Sequence, residues 1–577
     1  MNRLISNTLT SNCDKRIQDS LSVINKKYIH MKKIFLTIAC VLLIAQTFVS
    51  CSSTFLDEKN YSSYSPETLT DSLGFQASIG GLYTQMNYWE SYTDHQGWLA
   101  VWQTGTDIAY STPNQESIEI PYYNYSVLIS TDGAAAYTWK WCYQMINNAN
   151  SIITSVETGT VTGLTQSGKN KVDAEAKFFR AYAYNMLATL FGGIPLITTP
   201  VTGAKTDFVR APLADVNALV ESDLVYAAAN LPTIDKVVNQ ARANQAMAQQ
   251  LLAEAYLRMG QPAKAEIQCQ AIISSGKFSL VTSRYGIKKS LPGDPFSDMF
   301  FFGNQRRNQG NTEGIWVLQQ EGTSVVGNST GSPQHRRVWG AAYYNIAGLA
   351  ICDSLGGRSL ARMRLNNWVL YKLYGQNDMR NSRFSIRRRY TYNDPAATYA
   401  AKYGQLVPYS GADTIYKICP ATTKWGHYDP NDAFGYGMWK DFILMRYGET
   451  YLLLAEAQFK QGGTHIADAA ATISTLRAAR SIVTPITASQ MSLDFILDER
   501  ARELVGEENR RMTLMRVGQA AGVNMLAKRA LRLNNDANCP HPIAGLDSTS
   551  VNKILLPIPQ SEIDLNKGAK LEQNAGY

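Results

Sequence analysis

Apolar side chains recur every three to four residues through several long stretches of this chain, which is the period of an amphipathic α-helix. The pattern predicts helices at residues 137–156, 173–190, 212–230 and 491–517. Between about residues 280 and 440 this period disappears, and the chain becomes rich in Gly, Pro, Tyr, Trp and Arg. We therefore expect a mostly α fold, in which a helical scaffold carries one loop-rich, irregular ligand-binding face.

An internal repeat refines the prediction for the scaffold. Residues 251–265 read LLAEAYLRMGQPAKA and residues 453–467 read LLAEAQFKQGGTHIA. Gly260 and Gly462 each fall nine residues after the first leucine of their copy. A helix, a glycine turn and a second helix that begins with small residues are typical of a tetratricopeptide-like helical hairpin. We expect two such hairpins, separated by the irregular segment.

The N-terminal region has the pattern of an export signal. From Met31 the chain reads MKKIFLTIACVLLIAQTFVSC, with a basic start and an apolar run over residues 34–49 that is too short to span a bilayer. Cys51 stands where a lipobox places its lipidated cysteine, although Phe48 replaces the usual leucine. We predict a lipoprotein signal peptide at 31–50 and an acyl anchor such as palmitate on Cys51. The alternative is an ordinary signal peptide with an incidental cysteine.

Residues 1–30 have the pattern of neither a domain nor a signal, so we expect translation to start at Met31. The leader also holds much of the positive charge, with seven Lys/Arg against two Asp/Glu in residues 1–50. The chain from Cys51 onward carries 48 basic and 45 acidic residues and has no basic tail. This near-neutral balance argues against a nucleic-acid partner.

Aromatic residues are the candidates for ligand contact, since the chain contains 32 Tyr and ten Trp. Flat rings can stack on the C–H faces of sugars while polar neighbours bind the hydroxyl groups. One ring cluster is YWESYTDHQGWLAVW at 88–102, and a second is HRRVWGAAYY at 335–344. The predicted ligand-binding residues are Trp89, Tyr92, Trp98, Trp339 and Tyr343. The alternative is that these rings pack the scaffold, which we expect for Trp102.

Motifs for catalysis or metal binding are lacking. The six histidines are isolated, and the sequence has neither an HExxH nor a G-x-S-x-G motif. The stretch YDPNDAFGYG at 428–437 begins like a calcium loop, but Ala433 breaks the alternation and no glutamate closes it. We predict no catalytic residue, no metal site and no cofactor. Paired carboxylates of a glycoside hydrolase need only meet in space, so the sequence leaves that activity open.

Several stretches together resemble the SusD/RagB family of outer-membrane nutrient-binding lipoproteins. The resemblance extends over nearly all of residues 51–577, which we treat as a single domain with an N-terminal-type segment at about 75–235 and a C-terminal-type segment at about 310–577. The most specific stretches are EAKFFRAYAYNMLATLFGGIPLI (175–197), FILMRYGETYLLLAEAQF (442–459), ILDERARELVGEENRRMTLMR (496–516), LLPIPQSEIDLN (555–566) and QNAGY (573–577).

The resemblance implies four tetratricopeptide-like hairpins and a non-catalytic function. It implies a surface-exposed lipoprotein of the outer membrane that binds an oligo- or polysaccharide and delivers it to a TonB-dependent, SusC-type transporter. Two other functions stay open from the residues alone: a lipoprotein glycoside hydrolase, and a tetratricopeptide-type scaffold that binds peptides or proteins.

Overall fold

The computed structural model describes residues 69–91, 95–159, 161–321, 332–549 and 552–577. These residues form a mostly α-helical body with three short two-stranded antiparallel sheets, which confirms the predicted fold class. The helices are α1 (Ser72–Trp89), α2 (Gly133–Thr158), α3 (Gln166–Phe191), α4 (Leu213–Asn230), α5 (Gln245–Arg258), α6 (Pro262–Ser274), α7 (Pro295–Asp298), α8 (His335–Trp339), α9 (Asn367–Tyr371), α10 (Tyr447–Gln461), α11 (His465–Ala478), α12 (Leu493–Leu504), α13 (Arg510–Ala521), α14 (Met525–Ala530) and α15 (Gln560–Leu565). The strands are β1 (Ala109–Ser111), β2 (Gly314–Leu318), β3 (Met363–Leu365), β4 (Ile386–Arg387), β5 (Ala421–Thr422) and β6 (Phe442–Arg446).

Both copies of the sequence repeat form helical hairpins, as predicted. The first copy is α5 and α6, and the second is α10 and α11. Gly260 and Gly462 lie between the paired helices with φ of 71° and 73°. This left-handed conformation is cheap for glycine and ends a helix sharply, which explains why both copies keep glycine at this position.

The two hairpins pack against each other although about 200 residues separate them in sequence, since α6 lies along α10. Glu266 on α6 accepts hydrogen bonds from Gln458 Nε2 at 3.1 Å and Gln461 Nε2 at 2.6 Å on α10. Toward the N-terminus, α2, α3, α4 and α5 each pack on the next helix in the chain. The scaffold is therefore a continuous stack of antiparallel helices.

The predictions for single helices are confirmed for 137–156, 173–190 and 212–230, which fall within or closely match α2, α3 and α4. The prediction of one helix over 491–517 is wrong, because α12 ends at Leu504 and α13 begins at Arg510. The chain turns at Gly506, which has φ of 78°. This turn carries Glu507 and Glu508 to buried arginines, so a tertiary ion pair outweighs the helical period here.

Short strand pairs attach the loop-rich segment to the scaffold. In the β1–β3 sheet Ala109 pairs with Leu365, and in the β2–β6 sheet Val317 pairs with Ile443. Every residue of β1, β2 and β3 is buried, and only Ile443 and Leu444 in the middle of β6 are partly exposed among the residues of these two sheets. The irregular segment is therefore fixed at several points along its length.

A buried network of charges holds these parts together around Glu503 on α12. Arg480 Nη2 lies 2.7 Å from Glu503 Oε1, and Arg380 Nη1 lies 2.8 Å from Glu503 Oε2. Arg446 at the end of β6 bonds the same carboxylate. Glu313 receives a second bond from Arg480 at 2.7 Å. The surrounding cations hold the pKa of Glu503 well below its usual range against the opposing effect of burial, so the group is charged.

Within the residues that the structure describes, no helix is long and apolar enough to cross a bilayer. The cysteines of that part of the chain are unpaired, and Cys142 and Cys269 lie in the core. Cys51 and the signal segment fall outside the described residues, so lipidation stays a prediction.

The Glu503 network makes a stability prediction. Glu503→Gln should lower the free energy of unfolding by about 3–5 kcal/mol, because it leaves buried guanidinium groups without their counter-charge. Urea denaturation followed by circular dichroism measures this change.

The matched control is Glu157→Gln, which removes a carboxylate that is half exposed and lies 2.9 Å from Lys177 Nζ. Its cost should be at most about 1 kcal/mol, as for other surface ion pairs. If both variants lower the free energy of unfolding by the same small amount, the Glu503 network does not have the predicted structural importance.

Candidate functional site

The structure places two predicted ligand contacts in the core. Trp98 is 1% exposed and Tyr343 is 0% exposed. Trp98 Nε1 donates to the carbonyl of Trp89 at 2.9 Å, and Tyr343 Oη donates to the carbonyl of Gly357 at 2.8 Å. A ring without an open face cannot stack on a sugar, so the prediction is corrected for both residues. Tyr92 lies outside the described residues, and its predicted role stays a prediction.

Trp89 and Trp339 are buried as well, although the structure brings the two sequence clusters together. Both rings line one cavity of about 190 Å³, beside Glu90 and His335. His335 Nε2 lies 3.3 Å from Glu90 Oε2. The cavity is smaller than the roughly 300–1,000 Å³ of small-molecule sites. We therefore correct these two assignments to core packing.

Exposed rings occur instead on residues 427–439, which we call the ring loop. The buried guanidinium of Arg336 lies inside this loop and donates to the carbonyls of Asp432 at 3.0 Å, Gly437 at 2.6 Å and Gly435. At the base of the loop, Lys440 Nζ donates to the carbonyls of Lys424 at 2.7 Å and Gly426 at 2.8 Å. These internal donors fix the loop backbone from within.

Two rings of the ring loop project into solvent. Phe434 is 68% exposed and Tyr436 is 50% exposed. Tyr428 lies lower on the loop and packs edge-to-face on the exposed Phe302, with ring centroids 5.4 Å apart. Exposed apolar rings on a fixed backbone lose little conformational entropy when they bind a ligand. The surface therefore has the chemistry of a shallow stacking site.

Arginines flank the same rings. The guanidinium carbons of Arg337 and Arg358 lie 4.5 Å and 4.6 Å from the centroid of Tyr436. These cation–π contacts orient the Tyr436 ring. The guanidinium groups also offer donors to ligand oxygens at the edge of the aromatic surface.

A second candidate surface is a groove of about 670 Å³ on the helical scaffold between α1 and α2. It is within the size range of ligand sites. Its aromatic lining comprises Tyr88, Trp139, Tyr143 and Phe208, and its amide lining comprises Gln85, Gln144, Asn147, Asn148 and Asn566. The groove has ring and amide groups together, but Trp139 is buried and Asn147 already accepts a bond from the Val201 amide at 2.8 Å.

Sequence reasoning missed the ring loop because it tested YDPNDAFGYG only for calcium ligands. A signal was present, since Pro430, Gly435 and Gly437 mark a loop and two rings stand between polar residues. In the part of the chain that the structure describes, no group of three or more His, Cys, Asp or Glu side chains is placed to hold a metal ion.

Comparison with known proteins gives two family matches. Residues 363–577 match a model described as the SusD family, and residues 54–257 match one described as starch-binding associating with outer membrane. SusD-like protein P2 of Formosa agariphila is 26% identical over 567 residues, covering 95% of this chain and 100% of that protein.

Solved structures share the fold. Surface glycan-binding protein A from Bacteroides thetaiotaomicron superposes with a TM-score of 0.66 at 20% identity, covering 88% of this chain and 99% of that one. Its complex with laminarihexaose gives a TM-score of 0.64 at 18% identity and covers 88% and 100% of the two chains. With family models matching both the N-terminal and C-terminal segments, this chain belongs to the SusD/RagB family.

Proposed function

We propose that this protein is a non-catalytic, surface-exposed lipoprotein that binds a glycan and delivers it to a TonB-dependent outer-membrane transporter. The single observation that carries the binding function is the ring loop, where Phe434 and Tyr436 project into solvent from a backbone fixed by Arg336. The class of ligand is an oligo- or polysaccharide, because exposed rings beside polar donors match the alternating apolar and hydroxyl faces of sugars.

The relatives support this ligand class. The model that matches residues 54–257 is described as starch-binding, and one protein of similar fold is solved with laminarihexaose. The same description associates the family segment with the outer membrane. An acyl chain on Cys51 would hold the domain at that membrane, since several hydrocarbon tails anchor a protein stably where one binds marginally.

The geometry of the interior cavity supports binding without catalysis. Glu449 and Glu508 line this cavity, but Arg500 Nη2 lies 2.8 Å from one carboxylate and 2.7 Å from the other. Each of these carboxylates is therefore neutralised by the Arg500 guanidinium, and the cavity of about 190 Å³ is smaller than the roughly 300–1,000 Å³ of small-molecule sites.

Ring-loop variants test the site. Phe434→Ala and Tyr436→Ala should each weaken glycan binding by about 1–3 kcal/mol, or roughly tenfold to a hundredfold in Kd, because each removes the apolar face of one ring. Affinity gel electrophoresis against laminarin, xylan, mannan, polygalacturonate and carrageenan identifies the ligand, and isothermal titration calorimetry then gives the Kd. The same mixtures should release no reducing ends.

The matched control is Ile267→Ala, which removes an exposed apolar side chain from α6 on the scaffold. It should leave both Kd and Tm unchanged, and the ring-loop variants should leave Tm unchanged. If Phe208→Ala in the groove abolishes binding while Phe434→Ala does not, the glycan site is the groove and the assignment to the ring loop is wrong.

The anchor makes a separate prediction. Cys51→Ala should move the protein from the membrane to the soluble fraction and abolish incorporation of labelled palmitate. Cys352→Ala, which alters an unpaired cysteine of the folded domain, should leave both properties unchanged. Membrane association that persists without Cys51 would overturn the lipid-anchor proposal.

The transporter partnership predicts a complex. A TonB-dependent transporter should co-purify with the tagged lipoprotein from detergent-solubilised outer membranes and be identified by mass spectrometry. The Cys51→Ala protein, added to membranes from a strain that lacks the lipoprotein, should recover the same transporter if the folded domain makes the contact. Recovery of no transporter with the acylated protein would contradict the delivery function.

A further inference from the structure

The loop-rich segment has a different charge from the rest of the protein. Residues 281–440 carry 20 Lys/Arg and 10 Asp/Glu, whereas the chain from Cys51 onward carries 48 and 45 in total. Outside this segment acidic residues therefore outnumber basic ones. Because the ring loop belongs to the basic segment, any ligand bound there experiences a positive potential.

Arg337 shows where this positive charge is left without compensation. Its side chain is buried, with 5% of the residue exposed. It makes one weak hydrogen bond, from Nη1 to the carbonyl of Arg358 at 3.4 Å, and its Nε has no acceptor. Among the described residues, no carboxylate lies within ion-pair distance of Arg337 or Arg358.

Three other buried arginines, Arg510, Arg511 and Arg516, have more acceptors than Arg337. Arg510 and Arg516 each lie 2.7 Å from a buried carboxylate. Arg511 pairs with no carboxylate of the described residues, but it donates to the carbonyls of Val101, Thr104 and Tyr122 and to the hydroxyl of Tyr125. A buried donor without an acceptor destabilises the folded protein. The contacts inside this fold therefore give no stability advantage that would explain a buried guanidinium with one weak acceptor.

Further cations surround Arg337. Arg358 shares the ring of Tyr436 with it, and Arg362 lies nearby, where it bonds Glu116 Oε1 at 2.7 Å. Burial is the main cause that lowers the pKa of Arg337 to about 10. Tyr344 opposes it, and the positive charges of Arg358 and Arg362 lower the pKa further. We call Arg337, Arg358 and Arg362 the arginine cluster.

We propose that the arginine cluster binds an anionic substituent of the glycan, either the carboxylate of a uronic acid or a sulfate ester. Guanidinium groups recognise such oxyanions through paired, charge-assisted hydrogen bonds. The anion supplies the acceptors and the negative charge that Arg337 lacks, while Tyr436 and Phe434 contact the sugar ring. This inference rests on the proposed function and specifies the ligand as an acidic polysaccharide.

Matched polysaccharides test the inference by affinity gel electrophoresis and calorimetry. The pairs are polygalacturonate with its carboxyl-reduced form, and carrageenan with its desulfated form; laminarin serves as a neutral reference. We expect one anionic member to bind roughly tenfold to a hundredfold more tightly than its neutralised partner. The pair that shows this difference distinguishes carboxylate from sulfate, and raising the salt concentration should weaken that binding.

Failure of this inference is distinct from failure of the proposed function. Equal binding of charged and neutralised forms, or binding of laminarin alone, overturns the acidic ligand while glycan binding stands. Retention by no member of the set counts against both proposals.

Two variants test the residues. Arg358→Gln should weaken binding of the preferred anionic polysaccharide roughly tenfold and leave its neutralised form unaffected. Arg337→Met keeps much of the side-chain volume without the charge, so it should weaken the same binding while Tm stays equal or rises. The matched control is Lys236→Gln, which removes one exposed positive charge from the helical scaffold. It should change neither the binding of the anionic polysaccharide nor the Tm.

A purely structural role predicts the opposite results. If Arg337→Met lowers Tm and Arg358→Gln leaves the Kd of the anionic polysaccharide unchanged, the arginine cluster supports the fold and the inference is wrong.

Discussion

The Glu503 carboxylate is the point at which three distant segments of the chain are joined by charge. Arg380 comes from the loop-rich segment, Arg446 ends β6, and Arg480 follows α11, yet all three guanidinium groups bond one buried carboxylate. Removing one partner of a buried ion pair is strongly destabilising, because it leaves the other charge buried and uncompensated. The network therefore permits one relative arrangement of the scaffold and the irregular segment, because any displacement leaves a buried charge unpaired.

This constraint determines what the irregular segment can present to a ligand. The short strands fix the irregular segment on the scaffold. Within that segment, local hydrogen-bond donors hold the ring loop: Arg336 lies inside the loop and Lys440 lies at its base. Phe434 and Tyr436 are then held outward without support from a ligand. A shallow sugar site needs such preorganisation, because each contact contributes little binding free energy. That small gain cannot offset a large loss of conformational entropy in the loop on binding.

Arginine has two different environments in this fold. Around Glu503 and Asp107 it is buried with carboxylates, as in the 2.7 Å contact between Arg510 Nη2 and Asp107 Oδ2. Beside Tyr436 it is buried or stacked without them. The same residue type thus stabilises the fold in one region and, in our proposal, recognises an anion in the other. The difference depends on which acceptors the fold brings within reach.

The amino-acid sequence by itself determined the helical period, the glycine-ended repeat and the family motifs, because these depend on neighbours within a few turns of the chain. It predicted α2, α3 and α4 and both hairpins on that basis, but it missed the break between α12 and α13, which depends on distant arginines. Tertiary structure alone decided which rings are exposed. Trp98 and Phe434 both stand in polar, aromatic stretches, yet one is buried under Trp89 and its neighbours and the other is open to solvent. Exposure depends on tertiary contacts between separate segments of the chain, and no local pattern records those contacts.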